Sequence, residues 1–271
     1  IRHYYHGQLW YALGTGWILW TGKFRQPDPT NEGAIATGFV GGLSRKIAEE
    51  AASTLKRATS ESDGDRRTAI MGHAEALTKW AIQSENERVI AAGLNLAKHA
   101  LLIEHSALDA DPWLLNVQNG TVDLRTGQLR PHKSADLITH IASVAYDAAA
   151  ACRTFERFIS EVFARNTDMV AFIQRAIGWS LSGVIEERSL FFLYGASGWN
   201  GKSTLVETIM ALLGECGNGS FGYARKVPAE TFMKSRNIDD NERKTVPLSG
   251  TRFVSTSELS KEHRLNEQLI K

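Results

Sequence analysis

Apolar residues at the start of the chain form two short runs separated by glycines. Residues 8–13 and residues 17–20 flank Gly14 and Gly16, which predicts a β-hairpin with a glycine-containing turn. The first 26 residues are also dense in aromatic side chains. We interpret these as a small aromatic core, with base stacking on a sheet surface as the alternative.

Between about residue 35 and residue 103 the apolar positions recur at helical spacing. One stripe runs from Val40 to Leu55 and another from Ile70 to Ala81, and each predicts a helix. Gly41-Gly42 weakens the first of these predictions, because glycine inside a helix is destabilising. The charged stretch 56–68 is predicted as an exposed linker, whose Arg66-Arg67 pair would otherwise be a candidate phosphate contact.

After residue 112 the pattern changes to short strands. Asn119-Gly120 is a tight-turn signal between two apolar runs, and Gly127 supplies a second hairpin turn before Pro131-His132. Helical spacing resumes at Thr154.

The last third of the chain has an α/β pattern. The continuous apolar run Leu190–Tyr194 predicts a strand buried on both faces of a parallel sheet. A glycine-rich loop follows, and then a helix from about Lys202 to Leu213 that Gly214 would end. Residues 251–256 form a candidate second strand. We therefore expect a mixed α+β domain over residues 1–150 and an α/β P-loop domain over residues 151–271.

Composition narrows the class of protein without identifying it. The 271 residues are 43% hydrophobic and 23% charged, and the net charge of +1 neither supports nor excludes nucleic acid. No apolar run approaches the roughly 20 residues of a membrane helix, and no secretory signal is recognisable. We expect a cytoplasmic protein without membrane contact. Ile1 and Lys271 suggest that the sequence is a fragment.

The cysteines and histidines give no signal for a metal site or a disulfide framework. Cys152 and Cys216 are interpreted as small buried hydrophobic residues in a reducing compartment. The eight histidines lack ligand spacing, including the neighbouring pair His3 and His6. We expect no metal other than nucleotide-bound magnesium.

The glycine-rich loop carries the clearest candidate chemistry. Glycines let backbone N–H groups approach phosphate oxygens, and a helix N-terminus adds unpaired donors. Lys202 would bridge the β- and γ-phosphates of ATP, and the hydroxyl of Ser203 would bind Mg²⁺. The predicted nucleotide-binding residues are Gly195, Gly198, Asn200, Gly201, Lys202, Ser203 and Thr204.

The spacing of this loop departs from the usual P-loop. The position five residues before Gly201 is Ala196, and the glycines stand at 195 and 198 instead. The alternative interpretation is a glycine-rich turn with a surface lysine.

Hydrolysis would also need an acid at the end of a neighbouring strand. Glu258 is the candidate, as a ligand of Mg²⁺ and as a catalytic residue together with Lys202. Ser257 stands before it, where many such ATPases have a second acid. Glu258 could instead cap a loop, and Asp239, Asp240 and Glu242 are alternative acids in a charged stretch.

The loop and its flanks resemble a known family. Leu193–Gly195 and Asn200–Thr204 look like the nucleotide site of superfamily 3 helicases, in particular the helicase half of phage and plasmid primase–helicases, which are related to poxvirus and satellite-phage replication proteins. Further segments that resemble this family are residues 111–116, 119–127, 130–132, 172–181, 250–258 and 264–271.

The resemblance implies an AAA+-like ATPase that uses ATP and Mg²⁺. Such proteins assemble as homo-hexamers and translocate along single-stranded or forked DNA at a replication origin or fork. The family's sensor residue and arginine finger would follow Lys271, and its primase module would precede Ile1. A P-loop ATPase with another task, such as DNA packaging, and a remnant that binds ATP or DNA without hydrolysis are the two alternatives.

Overall fold

The chain forms two compact units in the computed structural model, which describes residues 5, 7–30, 33–186, 189–195, 198–217, 219–233, 248–256 and 266. The first unit comprises residues 1–21 and 25–107, and the second comprises residues 22–24 and 108–271. The sequence pattern predicts the domain boundary between residues 150 and 151. The structure differs because the strands after residue 112 share a hydrophobic core with the helices that follow them.

The first unit contains a four-stranded sheet in the order β3-β2-β1-β4. Its strands are β1 (Leu9–Ala12), β2 (Gly16–Trp20), β3 (Arg25–Pro27) and β4 (Leu102–Ile103). β1 and β2 pair antiparallel, so the predicted hairpin is confirmed. Trp17 is buried and packs edge-on against Tyr11 at a centroid distance of 5.2 Å. The aromatic-core interpretation is therefore confirmed for these two rings.

The described residues of this unit also form the helices α1 (Ala34–Gly41), α2 (Leu43–Thr59), α3 (Gly64–Gln83) and α4 (Glu87–Ala100). The helical stripes are confirmed, except that the first is divided at Gly42, where α1 ends and α2 begins. The linker predicted over 56–68 is wrong for most of its length. Asp63 accepts hydrogen bonds from the N–H groups of Asp65 and Arg66, and this N-cap starts α3 early.

In the part of the second unit that the structure describes, there are three small sheets and three helices. The strands of the antiparallel sheet are β5 (Leu114–Val117), β6 (Gly120–Asp123) and β7 (Gln128–Arg130); those of the hairpin are β8 (Cys216–Gly217) and β9 (Ser220–Phe221); and those of the parallel pair are β10 (Ala224–Val227) and β11 (Phe253–Thr256). The helices are α5 (Arg153–Val162), α6 (Thr167–Leu181) and α7 (Lys202–Leu213). None of the helices in the described ranges is long and apolar enough to span a bilayer.

Helix α7 is the centre of the core of this unit. Its buried residues Leu205, Ile209, Met210 and Leu213 pack with residues of β5, β6, α5 and β10. This burial fixes the position of the helix and therefore of the loop that precedes it.

Arg252 ties the elements around α7 together. Its guanidinium donates to the carbonyl oxygens of Leu181 at 2.6 Å and Leu114 at 2.7 Å, and it lies over the ring of Tyr223. These contacts join the end of α6, the start of β5 and the strand pair β10-β11.

The prediction of a buried strand at Leu190–Tyr194 is wrong. This segment forms no ladder in the structure, and its side chains are exposed, with Phe192 at 64% and Tyr194 at 90%. A continuous apolar run becomes a buried strand only where a neighbouring strand pairs with it. The described parallel sheet here consists of β10 and β11.

Candidate nucleotide-phosphate site

The N-terminus of α7 presents backbone donors that no side chain caps. Gly201 is the N-cap residue, in the left-handed region at φ 77°, and the first turn contains no acidic residue. The first N–H groups of a helix have no partner within the helix, and the helix dipole favours an anion at this end. The first turn of α7 therefore suits phosphate.

Gly201 lies directly against α5. A Cβ atom at this position would stand 2.6 Å from Cγ2 of Val162 and 3.1 Å from the ring of Phe158. Both the left-handed backbone and this close approach require glycine. Packing against α5 thus sets the point at which the loop turns into α7.

Three of the predicted residues converge at Gly195. The ammonium of Lys202 donates to the side-chain oxygen of Asn200 at 2.5 Å. A Cβ atom at Gly195 would fall 1.9 Å from Asn200 Nδ2 and 3.0 Å from Lys202 Nζ. The backbone of Gly195 is therefore in contact range of both side chains. The contact of Lys202 with Asn200 holds the ammonium group close to the loop backbone at Gly195.

The remaining predicted residues occupy the exposed side of the same turn. Ser203 and Thr204 are exposed on the first turn of α7, and Gly198 is exposed in the loop. The N-terminus of α7 therefore combines the ammonium group of Lys202, the backbone N–H groups of the first turn and the exposed hydroxyls of Ser203 and Thr204. This donor set fits a phosphate group with a bound divalent cation.

Trp199 is a feature of the loop that the sequence analysis did not single out. It has a positive φ of 62° and a fully exposed side chain. A non-glycine residue in this backbone region is uncommon, and an exposed indole beside a phosphate-type loop is well placed for ring stacking. The available signal was an aromatic residue within a glycine-rich turn.

The strand expected to carry the catalytic acid is present. β11 runs parallel to β10, and Ser255 Oγ lies 3.1 Å from the sulfur of Met210 in α7, so β11 packs beside the helix. Glu258 itself lies outside the described residues, as do Ser257, Asp239, Asp240 and Glu242. The assignment of the acid stays a prediction.

The cysteines differ from their predicted environment. Cys152 is exposed and Cys216 is partly exposed, so the interpretation of both as buried hydrophobic residues is wrong. Cys152 stands just before α5, and Cys216 lies in a two-residue strand of a short hairpin, so neither position is enclosed by core. Within the ranges given above, no group of three or more His, Cys, Asp or Glu side chains could hold a metal ion.

Comparison with protein families identifies the larger part of the chain. The family model described as D5 N terminal like matches residues 1–164. This domain is the N-terminal part of D5-like phage and viral primase-helicase proteins. The match includes the whole first unit and continues through β5–β7 and α5, and it ends before the glycine-rich loop. A search of curated proteins found no match to the chain.

Proposed function

We propose that this chain, which belongs to the D5 N terminal like family, is the ATP-binding part of a phage or viral replication helicase. The family is found in primase-helicase replication proteins, which supports a role in phage or viral replication. Nucleotide binding and hydrolysis are our inference from the second unit, and DNA unwinding is our inference from the resemblance of its loop to that of superfamily 3 helicases. The proposed partners are DNA and further copies of the chain in a hexamer.

One observation supports the nucleotide site above all others. The uncapped N-terminus of α7 follows a glycine-rich loop and has Lys202 as its first residue. A structural loop with a surface lysine would not require Lys202, Asn200 and Gly195 to converge.

Each residue has a separate task in this proposal. The N–H groups of the first turn of α7 hold phosphate oxygens, and Lys202 exchanges its contact with Asn200 for the β- and γ-phosphates. Ser203 holds Mg²⁺, which neutralises charge on the phosphates when bound. Glu258, two residues beyond the end of β11, positions the attacking water or the cation.

A second candidate is nucleotide binding without hydrolysis. The observation in its favour is the exposed Leu190–Tyr194 segment, which does not join the sheet beside β11. A loop packed against α5 at the start of α7 can bind phosphate, whereas transition-state stabilisation needs the acid held rigidly beside it.

The two candidates are separated by ATP hydrolysis measured with and without single-stranded DNA. We expect DNA to stimulate hydrolysis by the wild-type chain, and Glu258→Gln to lower the stimulated rate about 100-fold while ATP binding is kept. Ser203→Ala should weaken the dependence on Mg²⁺. ATP binding without any hydrolysis would favour the second candidate, and equal hydrolysis by Glu258→Gln would exclude Glu258 as the catalytic acid.

A further inference from the structure

A second polar cluster lies in the same unit, away from the glycine-rich loop. Asp109 accepts a hydrogen bond from the N–H of Thr139 at 2.8 Å, and its carboxylate also accepts the hydroxyl proton of Thr139. The hydroxyl of Thr139 has then used its proton, so its oxygen can only accept from Nδ1 of His140, 2.8 Å away. Asp109 thus fixes a proton on Nδ1 of His140 through Thr139.

The imidazole of His140 is held on all sides. It stacks on the ring of Tyr223 at a centroid distance of 5.5 Å, and a Cβ atom at Gly250 would stand only 2.1 Å from its Cε1. Its main-chain carbonyl accepts from Asn116 Nδ2 at 3.1 Å and from the Tyr223 hydroxyl at 3.2 Å. The other ring nitrogen, Nε2, lies 3.7 Å from the sulfur of Cys216.

The backbone of Cys216 is equally well fixed. The N–H of Gly222 donates to the carbonyl of Glu215 at 2.9 Å, and the N–H of Ala224 donates to that of Gly214 at 2.9 Å. These bonds hold the residues before Cys216 against β10. The β8–β9 hairpin leaves the thiol partly exposed, so a small reagent can reach it.

Electrostatics favour a charged pair. Burial opposes the charge on His140, but the nearby Asp109 carboxylate, 3.7 Å from Nδ1, and Cys216 outweigh burial and raise the pKa of His140 to about 9. The hydrogen bond from His140 lowers the pKa of the Cys216 thiol, against a smaller opposing effect of burial. Among the described residues, the further charged groups near the pair are Arg225, beside Cys216, and Arg252, which lies over the ring of Tyr223. The positive charge of Arg225 also lowers the pKa of the Cys216 thiol.

Cys152 provides an internal contrast. It is the more exposed of the two thiols, but its sulfur donates to the carboxylate of Glu156 at 3.4 Å. That carboxylate raises the pKa of Cys152. Exposure and thiolate character therefore predict opposite orders of reactivity for the two cysteines.

We propose that Cys216 is a reactive thiolate, positioned by the Asp109–Thr139–His140 chain, that forms mixed disulfides with small-molecule disulfides. The Cys216 thiolate attacks one sulfur of the small disulfide, and a new S–S bond forms to it. The S–S bond of the small molecule breaks, and its electron pair leaves with the other sulfur as a thiolate, which takes a proton from water. Excess small thiol reverses the reaction.

The test is the rate at which oxidised glutathione modifies each cysteine in the intact chain, followed by peptide mass spectrometry. An ordinary thiol with a pKa of about 8.5 is about 1% thiolate at about pH 6.5. Part of the gain in thiolate fraction is offset by the lower nucleophilicity of a stabilised thiolate. We therefore expect Cys216 to react about tenfold faster than Cys152 at about pH 6.5.

The pH profile and two variants complete the test. Between about pH 6 and pH 8 the rate at Cys152 should rise about tenfold per pH unit, and that at Cys216 should change much less. His140→Gln should give Cys216 the steep profile, and Glu156→Gln should speed Cys152 only. Faster reaction at Cys152 than at Cys216 in the wild-type chain at about pH 6.5 would overturn the proposal. That comparison needs no variant and holds even if His140→Gln fails to fold.

Discussion

Replacing Lys202 by alanine is expected to weaken ATP binding about 100-fold, which corresponds to about 2.8 kcal/mol. Lys202 is the first residue of α7, and its ammonium already lies beside Asn200 and the backbone of Gly195. Its removal deletes the cation of the site and leaves the backbone donors of the helix in place. The loss is therefore large but incomplete, and titration calorimetry with ATP and Mg²⁺ measures it.

Lys133→Ala is the matched control. Lys133 is an exposed lysine of the same unit, and it precedes a short 3₁₀ turn rather than the glycine-rich loop. It should leave ATP affinity unchanged, and both variants should unfold at the same urea concentration as the wild type. Equal ATP affinity of Lys202→Ala and the wild type would remove Lys202 from the site.

Replacing Gly201 by alanine is expected to lower the free energy of unfolding by about 3 kcal/mol, from left-handed backbone strain together with overpacking. The new methyl group would meet Val162 Cγ2 at 2.6 Å, so the loop or α5 must move. ATP binding should fall as well, because the same displacement moves the first turn of α7. Urea unfolding and calorimetry measure the two effects separately.

Gly198→Ala controls for the loss of a glycine in the same loop. A Cβ atom at Gly198 would have no neighbour within 4 Å. Its unfolding midpoint should stay close to that of the wild type. If Gly198→Ala lowered the free energy of unfolding as much as Gly201→Ala, the flexibility of the loop, rather than the contact of Gly201 with α5, would determine stability.

The elements that could be predicted are those whose signals are local. Helix α7 has the bounds that its apolar stripe and the following Gly214 indicate, and the β1–β2 hairpin turns at Gly14 and Gly16 as expected. In each case the residues that determine the structure lie within one element. Gly195, Asn200 and Lys202 were grouped from local spacing, and the structure brings these three residues close together, while their role in nucleotide binding stays a prediction.

The errors arose where distant residues decide the outcome. Leu190–Tyr194 would be buried only if it paired with a neighbouring strand such as β11. The spacing of apolar residues along the chain does not show whether such pairing occurs. Cys216 and His140 are 76 positions apart in the sequence. They meet because the ring of His140 is held between Tyr223 and Gly250. Spacing along the chain gives no signal for such a pair.

Hydrogen exchange of backbone amides, with and without ATP and Mg²⁺, tests the proposed phosphate site most directly. Protection should increase at the amides of residues 198–204, because these N–H groups would bind phosphate oxygens instead of water. The buried turns of α7 around Ile209 and Leu213 should change little, since the core already holds them. Unchanged exchange at residues 198–204 at a saturating ATP concentration would contradict the assignment of this loop as a nucleotide site.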